Sequence, residues 1–112
     1  MSRLTTHVLD TMHGRPAAGV SLRLKRGGET VASAITNLDG RCDAPLLNGG
    51  LPTGEYRLEF DVGDYFREMG VPLPSPAFLE TVVIDFGVAE PEGHYHVPLL
   101  VSPYGYSTYR GS

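Results

Sequence analysis

His94 and His96 stand two residues apart in the run His94-Tyr95-His96-Val97-Pro98. In an extended strand that spacing sends both imidazoles out of one face. Imidazole titrates near neutrality, so such a face can take or give a proton. Two imidazoles can also share a metal ion, given a third ligand such as His7, but no cysteine or carboxylate has matching spacing. His13 is the fourth histidine. Arg41 follows the Asp39-Gly40 turn and carries a rigid fork of donors that fits a planar anionic ligand. Taken alone it reads as a solvated loop arginine. Cys42, the only cysteine, reads as a packed and inert thiol rather than a nucleophile. A Gly-x-Ser-x-Gly elbow and the glycine-rich phosphate-binding patterns are absent from the sequence.

These residues need strands to hold them, and period-2 alternation runs through the chain. In 19–25 the apolar side is Val20, Leu22 and Leu24. In 55–62 it is Tyr56, Leu58, Phe60 and Val62, and in 81–88 it is Val82, Ile84, Phe86 and Val88. A weaker alternation covers 30–36. Each pattern predicts a strand with one side in a core and one in water. Arg26-Gly27-Gly28-Glu29 suits a hairpin and Asn37-Leu38-Asp39-Gly40 a turn. One helix is expected over 62–69, with Tyr65, Phe66 and Met69 on one face and Gly70 to end it. The proline-rich 71–76 is expected to be extended. Many short strands and one short helix predict an all-β sandwich in a single domain spanning 1–112.

Two strands depart from the in/out rule. In 94–101, Tyr95, Val97, Leu99 and Val101 form the core side, while His94, His96, Pro98 and Leu100 share the other. In 5–9, Thr5, His7 and Leu9 lie opposite Thr6 and Val8. Outer faces that mix histidine with leucine and proline fit a binding groove or a subunit interface better than open solvent.

Composition narrows the function classes. The chain has 112 residues, 41% hydrophobic and 20% charged, enough for one domain with its own core. A net charge of −4 with no basic cluster argues against nucleic-acid binding. A lone cysteine fits a reducing compartment. There is no apolar run of membrane-spanning length, no secretory h-region and no terminal Ser-Lys-Leu, so a cytoplasmic location away from membranes is expected.

Three stretches together resemble one family. Leu4-Thr5-Thr6-His7-Val8-Leu9-Asp10-Thr11 with Gly14-Arg15-Pro16-Ala17 is similar to the opening of transthyretin-like proteins. Thr36-Asn37-Leu38-Asp39-Gly40-Arg41-Cys42 resembles their central turn. The run from His94 to the terminal Tyr109-Arg110-Gly111-Ser112 resembles their C-terminal signature. The family has a hormone-carrier branch and a 5-hydroxyisourate hydrolase branch. The histidine in the first motif, the arginine in the second, the histidine before Val-Pro and the terminal Tyr-Arg-Gly-Ser all match the hydrolase branch.

The resemblance implies a sandwich of about eight strands with one short helix, assembled as a homotetramer, a dimer of dimers with its sites in a channel between dimers. It implies hydrolysis of 5-hydroxyisourate, with no metal or organic cofactor required because the acyl carbon is already electrophilic. His7, Arg41, His96 and Ser112 would be catalytic, with His7 or His96 as the base. His7, Arg41, Tyr109 and Arg110 would bind substrate. An ordered tail, with Tyr109 and Ser112 beside His7, Arg41 and His96, is the resulting expectation. The alternative within the family is a small-molecule carrier without catalysis.

Overall fold

The computed structural model describes residues 2–111. Strand β1 (Arg3–Asp10) opens it, and β2 (Arg15–Pro16) turns back on β1. Strands β3 (Ser21–Arg26) and β4 (Glu29–Ile35) form a hairpin. The two-residue β5 (Leu47–Asn48) is followed by β6 (Gly54–Phe60) and helix α1 (Val62–Glu68). Strands β7 (Val82–Val88), β8 (His94–Ser102) and β9 (Gly105–Thr108) complete the fold. One sheet runs β2-β1-β8-β9 with β5 also paired to β1, and the other runs β4-β3-β6-β7.

The alternating residues explain the two layers. Leu4 and Val8 of β1 and Tyr95, Val97, Leu99 and Val101 of β8 point inward from the first sheet. Leu22, Leu24, Leu58, Phe60 and Val82 meet them from the second. Each is nearly or wholly removed from water, and burying a side chain of this kind is worth about 1.5–3 kcal/mol. The β3–β4 hairpin turns on Gly27 and Gly28, both at positive φ (60° and 84°), the backbone that a two-residue hairpin of matching twist demands. The expected sandwich, its six longer strands and the helix all form, with bounds shifted by two residues or fewer.

The short strands β2, β5 and β9 carry no alternation to reveal them. All four residues of β9 are exposed, so it has no apolar side. Its identity as a strand comes from pairing with β8, where Leu99 faces Thr108 and Val101 faces Tyr106.

Helix α1 seals one end of the sandwich through Val62, Tyr65 and Phe66. It is tied to β1 by the Tyr65 hydroxyl, which donates to Asp10 Oδ2 at 2.7 Å in a buried position. Asp10 also accepts from the His13 backbone amide and from His13 Nδ1, at 3.0 and 2.6 Å. Fixing β1 at this end matters because β1 runs parallel to β8, in a register that sets Thr5 beside His96 and His7 beside Pro98.

Candidate active site

The outer rows of β1 and β8 lie side by side. Thr5, His7 and Leu9 on β1 are half-buried, as are His96 and Leu100 on β8, while Pro98 is buried and His94 exposed. The mixed faces noted in the sequence are thus one continuous surface.

Arg41 reaches this surface through the turn at 37–40. The Asn37 side chain accepts from the Asp39 and Arg41 amides at 2.9 and 3.2 Å and donates to Asp43 Oδ1 at 2.9 Å. Gly40 takes φ +75°, and its carbonyl accepts from the Val8 amide at 2.8 Å. A Cβ there would lie 2.4 Å from the Val8 carbonyl oxygen, so only glycine lets the turn approach β1 this closely. The approach sets Arg41 opposite His7 in an antiparallel bridge.

The two imidazoles are held through opposite nitrogens. His7 Nε2 lies 2.9 Å from the Asp39 carbonyl oxygen. A carbonyl can only accept, so Nε2 carries the proton and the lone pair of the neutral ring is on Nδ1. His96 is held instead at Nδ1, which shares a hydrogen bond of 2.8 Å with the Thr5 hydroxyl. Burial first, then the positive charge of Arg41 and that of His7 when it is protonated, lower the pKa of His96 below its ordinary 6.5. His96 is therefore a neutral imidazole at physiological pH, in the form that accepts a proton.

Thr5, Arg41, His94 and His96 line a cleft of about 590 Å³, together with Cys42 and Pro45. Among the described residues no carboxylate pairs with the Arg41 guanidinium. A hollow of similar size, about 650 Å³, lies on the other sheet over Lys25, Arg57, Glu59 and Asp85. Its two cations are already paired, Arg57 with Asp85 at 2.7 Å and Lys25 with Glu59 at 3.5 Å. The cleft at Arg41 is the one that offers a cation and a neutral base to a ligand. Burial first, then the charge of Asp43, raise the Cys42 thiol pKa, which keeps it from acting as a thiolate. Among the described residues no three histidine, cysteine or carboxylate side chains converge as a metal site.

The tail passes beside His96. The Gly111 amide donates to the His96 carbonyl oxygen at 2.7 Å. Arg110 stacks its guanidinium 4.1 Å over the Tyr95 ring and donates to the His94 carbonyl oxygen at 3.2 Å. Tyr109 is exposed and lines a separate concavity of about 340 Å³ with Phe86, Tyr95 and Arg110. Within one chain its ring is therefore not in the cleft of Arg41 and His96. Ser112 lies outside the described residues. Sequence reasoning missed Thr5 and Asn37 as parts of the site. The only signal for either was its place beside a chosen residue, two before His7 and at the head of the Arg41 turn.

A half-open β-sandwich face with a neutral histidine, a second histidine and an arginine defines a transthyretin-like protein equipped for polar chemistry. The chain belongs to the HIUase/transthyretin family, whose model matches residues 4–111. It is 56% identical to the 5-hydroxyisourate hydrolase of Pseudomonas aeruginosa, over all of this chain and 93% of that one. The solved 5-hydroxyisourate hydrolase of Klebsiella pneumoniae superposes with a TM-score of 0.87 at 42% identity, covering both chains in full. Transthyretin from Sparus aurata superposes at 0.82 with 29% identity, over 97% of this chain and 96% of that one. The fold is common to both branches, and the sequence sides with the hydrolases: the chain is an enzyme of that class.

Proposed function

We propose that the chain hydrolyses 5-hydroxyisourate to 2-oxo-4-hydroxy-4-carboxy-5-ureidoimidazoline, a step of urate breakdown. The observation that supports this most directly is the meeting of neutral His96 with Arg41 and His7 on one sheet face. The substrate is a planar ring with an electrophilic acyl carbon. His96 takes a proton from water at its outward nitrogen, an assistance worth roughly 10²–10⁴ in rate. The water oxygen bonds to the acyl carbon, and the carbonyl becomes an oxyanion that faces the Arg41 guanidinium. Fixed positive charge in a partly dry cleft stabilises that oxyanion without reorganisation at the moment of reaction. Collapse breaks the ring C–N bond, and the proton on His96 passes to the departing nitrogen. His7, with Nδ1 free to accept, orients the water or the substrate.

The enzyme acts in this reading as a homotetramer, with Tyr109 and Ser112 completing sites between subunits. The stack of Arg110 on Tyr95 favours a role in holding the tail over direct contact with the substrate. The decisive experiment generates 5-hydroxyisourate from urate with urate oxidase and follows its ultraviolet decay. Acceleration proportional to enzyme concentration is expected, and decay at the uncatalysed rate overturns the substrate assignment. Light scattering should give four chains per particle, and a fully active monomer would remove the assembly from the mechanism.

A further inference from the structure

We propose that Thr5 is a positioning residue for His96: its hydroxyl accepts the Nδ1–H of the imidazole and so presents Nε2 as the proton-accepting nitrogen. The proposal rests on the reading of His96 as the base and assigns the tautomer in which it works. Parallel pairing of β1 with β8 places Thr5 and His96 side by side on the outer face, with Oγ1 and Nδ1 2.8 Å apart.

The neighbouring threonine shows what a structural hydroxyl looks like here. Thr6 points into the core and donates to the Val97 carbonyl oxygen at 2.7 Å, satisfying a buried backbone group. The Thr5 hydroxyl has no backbone partner among the described residues, and its contact is the catalytic ring. The main chain of His96 is meanwhile pinned by pairing with β1 and by the Gly111 amide. Ring rotation is the freedom that remains: Gly111 packs against the Cδ2 edge, and the Thr5 hydroxyl is the hydrogen bond that selects the nitrogen.

The chemistry favours a hydroxyl at this position. Arg41 places positive charge near His96 and opposes formation of its imidazolium, and His7 adds to that opposition when it is itself protonated. A carboxylate at Nδ1 would relieve that opposition but would also favour a ring already protonated at rest. A hydroxyl accepts Nδ1–H before and after proton transfer, adding little to basicity while holding the ring oriented. His7 makes the complementary choice, since its Nε2–H is engaged by the Asp39 carbonyl and its free nitrogen is Nδ1.

Nitrogen-15 NMR of the wild-type protein reads the tautomer without substrate, so it stands apart from the identity of the reaction. Neutral His96 should carry its proton on Nδ1, and a ring protonated on Nε2 overturns the proposal. Thr5→Val keeps the shape and the strand preference but removes the hydroxyl. Its kcat on 5-hydroxyisourate should fall roughly tenfold to a hundredfold, the range for losing a hydrogen bond to a charged group, with KM within about twofold. His96 should then show mixed tautomers. Thr5→Ser should restore kcat to within about threefold of wild type, because it returns the hydroxyl. Wild-type kcat in Thr5→Val, or no rescue by Thr5→Ser, would overturn the positioning role.

Discussion

The Gly111 amide donates to the His96 carbonyl oxygen at 2.7 Å, and a Cβ on Gly111 would lie 2.6 Å from Cδ2 of the same histidine. Gly111 thus packs directly on the imidazole proposed as the base. A side chain at 111 has to displace that ring, since real Cβ contacts do not reach 2.6 Å. Gly111→Ala should lower kcat by about tenfold or more, because small misplacements of a catalytic group are costly. The site is peripheral to the core, so thermal unfolding should shift by no more than about 2 °C. Ultraviolet kinetics and a melting curve on the same sample separate the two effects.

Arg41 should shape the pH dependence as well as the rate. Burial, then the charge of Arg41 and that of His7 when it is protonated, depress the His96 pKa, so the neutral, proton-accepting ring persists to lower pH than in free histidine. Activity should hold above about pH 6.5, the ordinary value, and fall as the pH drops through the depressed one. Arg41→Gln removes one of the opposing charges, and the His96 titration should then move up toward the ordinary value. An NMR titration of the ring measures this in a variant too slow for kinetics. A midpoint unmoved by Arg41→Gln would show that Arg41 has no part in the shift.

Much of this was legible in the residues. The strands of 19–25, 55–62 and 81–88 bury one face and expose the other, and alternation reads that directly. His7 and His96 stood out because their neighbours on the same face, Leu9, Pro98 and Leu100, are wrong for open water. What alternation cannot show is pairing. Thr5 and His96 are 91 positions apart, and only the parallel register of β1 on β8 makes them partners. The same limit hid β9, whose residues are all exposed, and the separation of Tyr109 from the Arg41 cleft within one chain. The role of Asn37 was hidden for a different reason: a turn asparagine is common, and its three side-chain bonds appear only when the turn is built.

Asp10 should matter for stability rather than catalysis. Its burial would raise the carboxyl pKa, but the hydrogen bonds from Tyr65 and His13 outweigh that and hold it below the ordinary 3.8. A carboxylate with a depressed folded pKa stabilises the native state above its unfolded value, and that contribution is lost as the pH falls through the folded one. Asp10→Ala leaves the Tyr65 hydroxyl and His13 without their buried acceptor and should cost roughly 2–4 kcal/mol. The melting temperature should fall on the order of 10 °C. Tyr65→Phe removes one donor and keeps the ring against Phe66, so about 1 kcal/mol is expected. Equal losses in the two variants, measured by denaturant unfolding, would mean that the His13 bonds contribute nothing.

Asn37 should control the site from the turn. Its side chain gathers the Asp39 and Arg41 amides and Asp43, while its own amide donates to the Arg41 carbonyl oxygen at 2.7 Å. The turn delivers two things: the Arg41 guanidinium, and the Asp39 carbonyl that takes the proton of His7. Asn37→Ala loses both accepted amide bonds, and kcat/KM should fall roughly tenfold to a hundredfold as Arg41 and His7 lose registry together. Asn37→Asp keeps the acceptor oxygen but sets a second carboxylate against Asp43, so it should recover part of that loss, and more of it at high salt, which screens like charges. Because part of the effect runs through Arg41, the double variant of a double-mutant cycle, Asn37→Ala with Arg41→Ala, should lose less than the sum of the two single losses, the remainder being the share carried by His7. Fully additive losses in that cycle would place the action of Asn37 elsewhere.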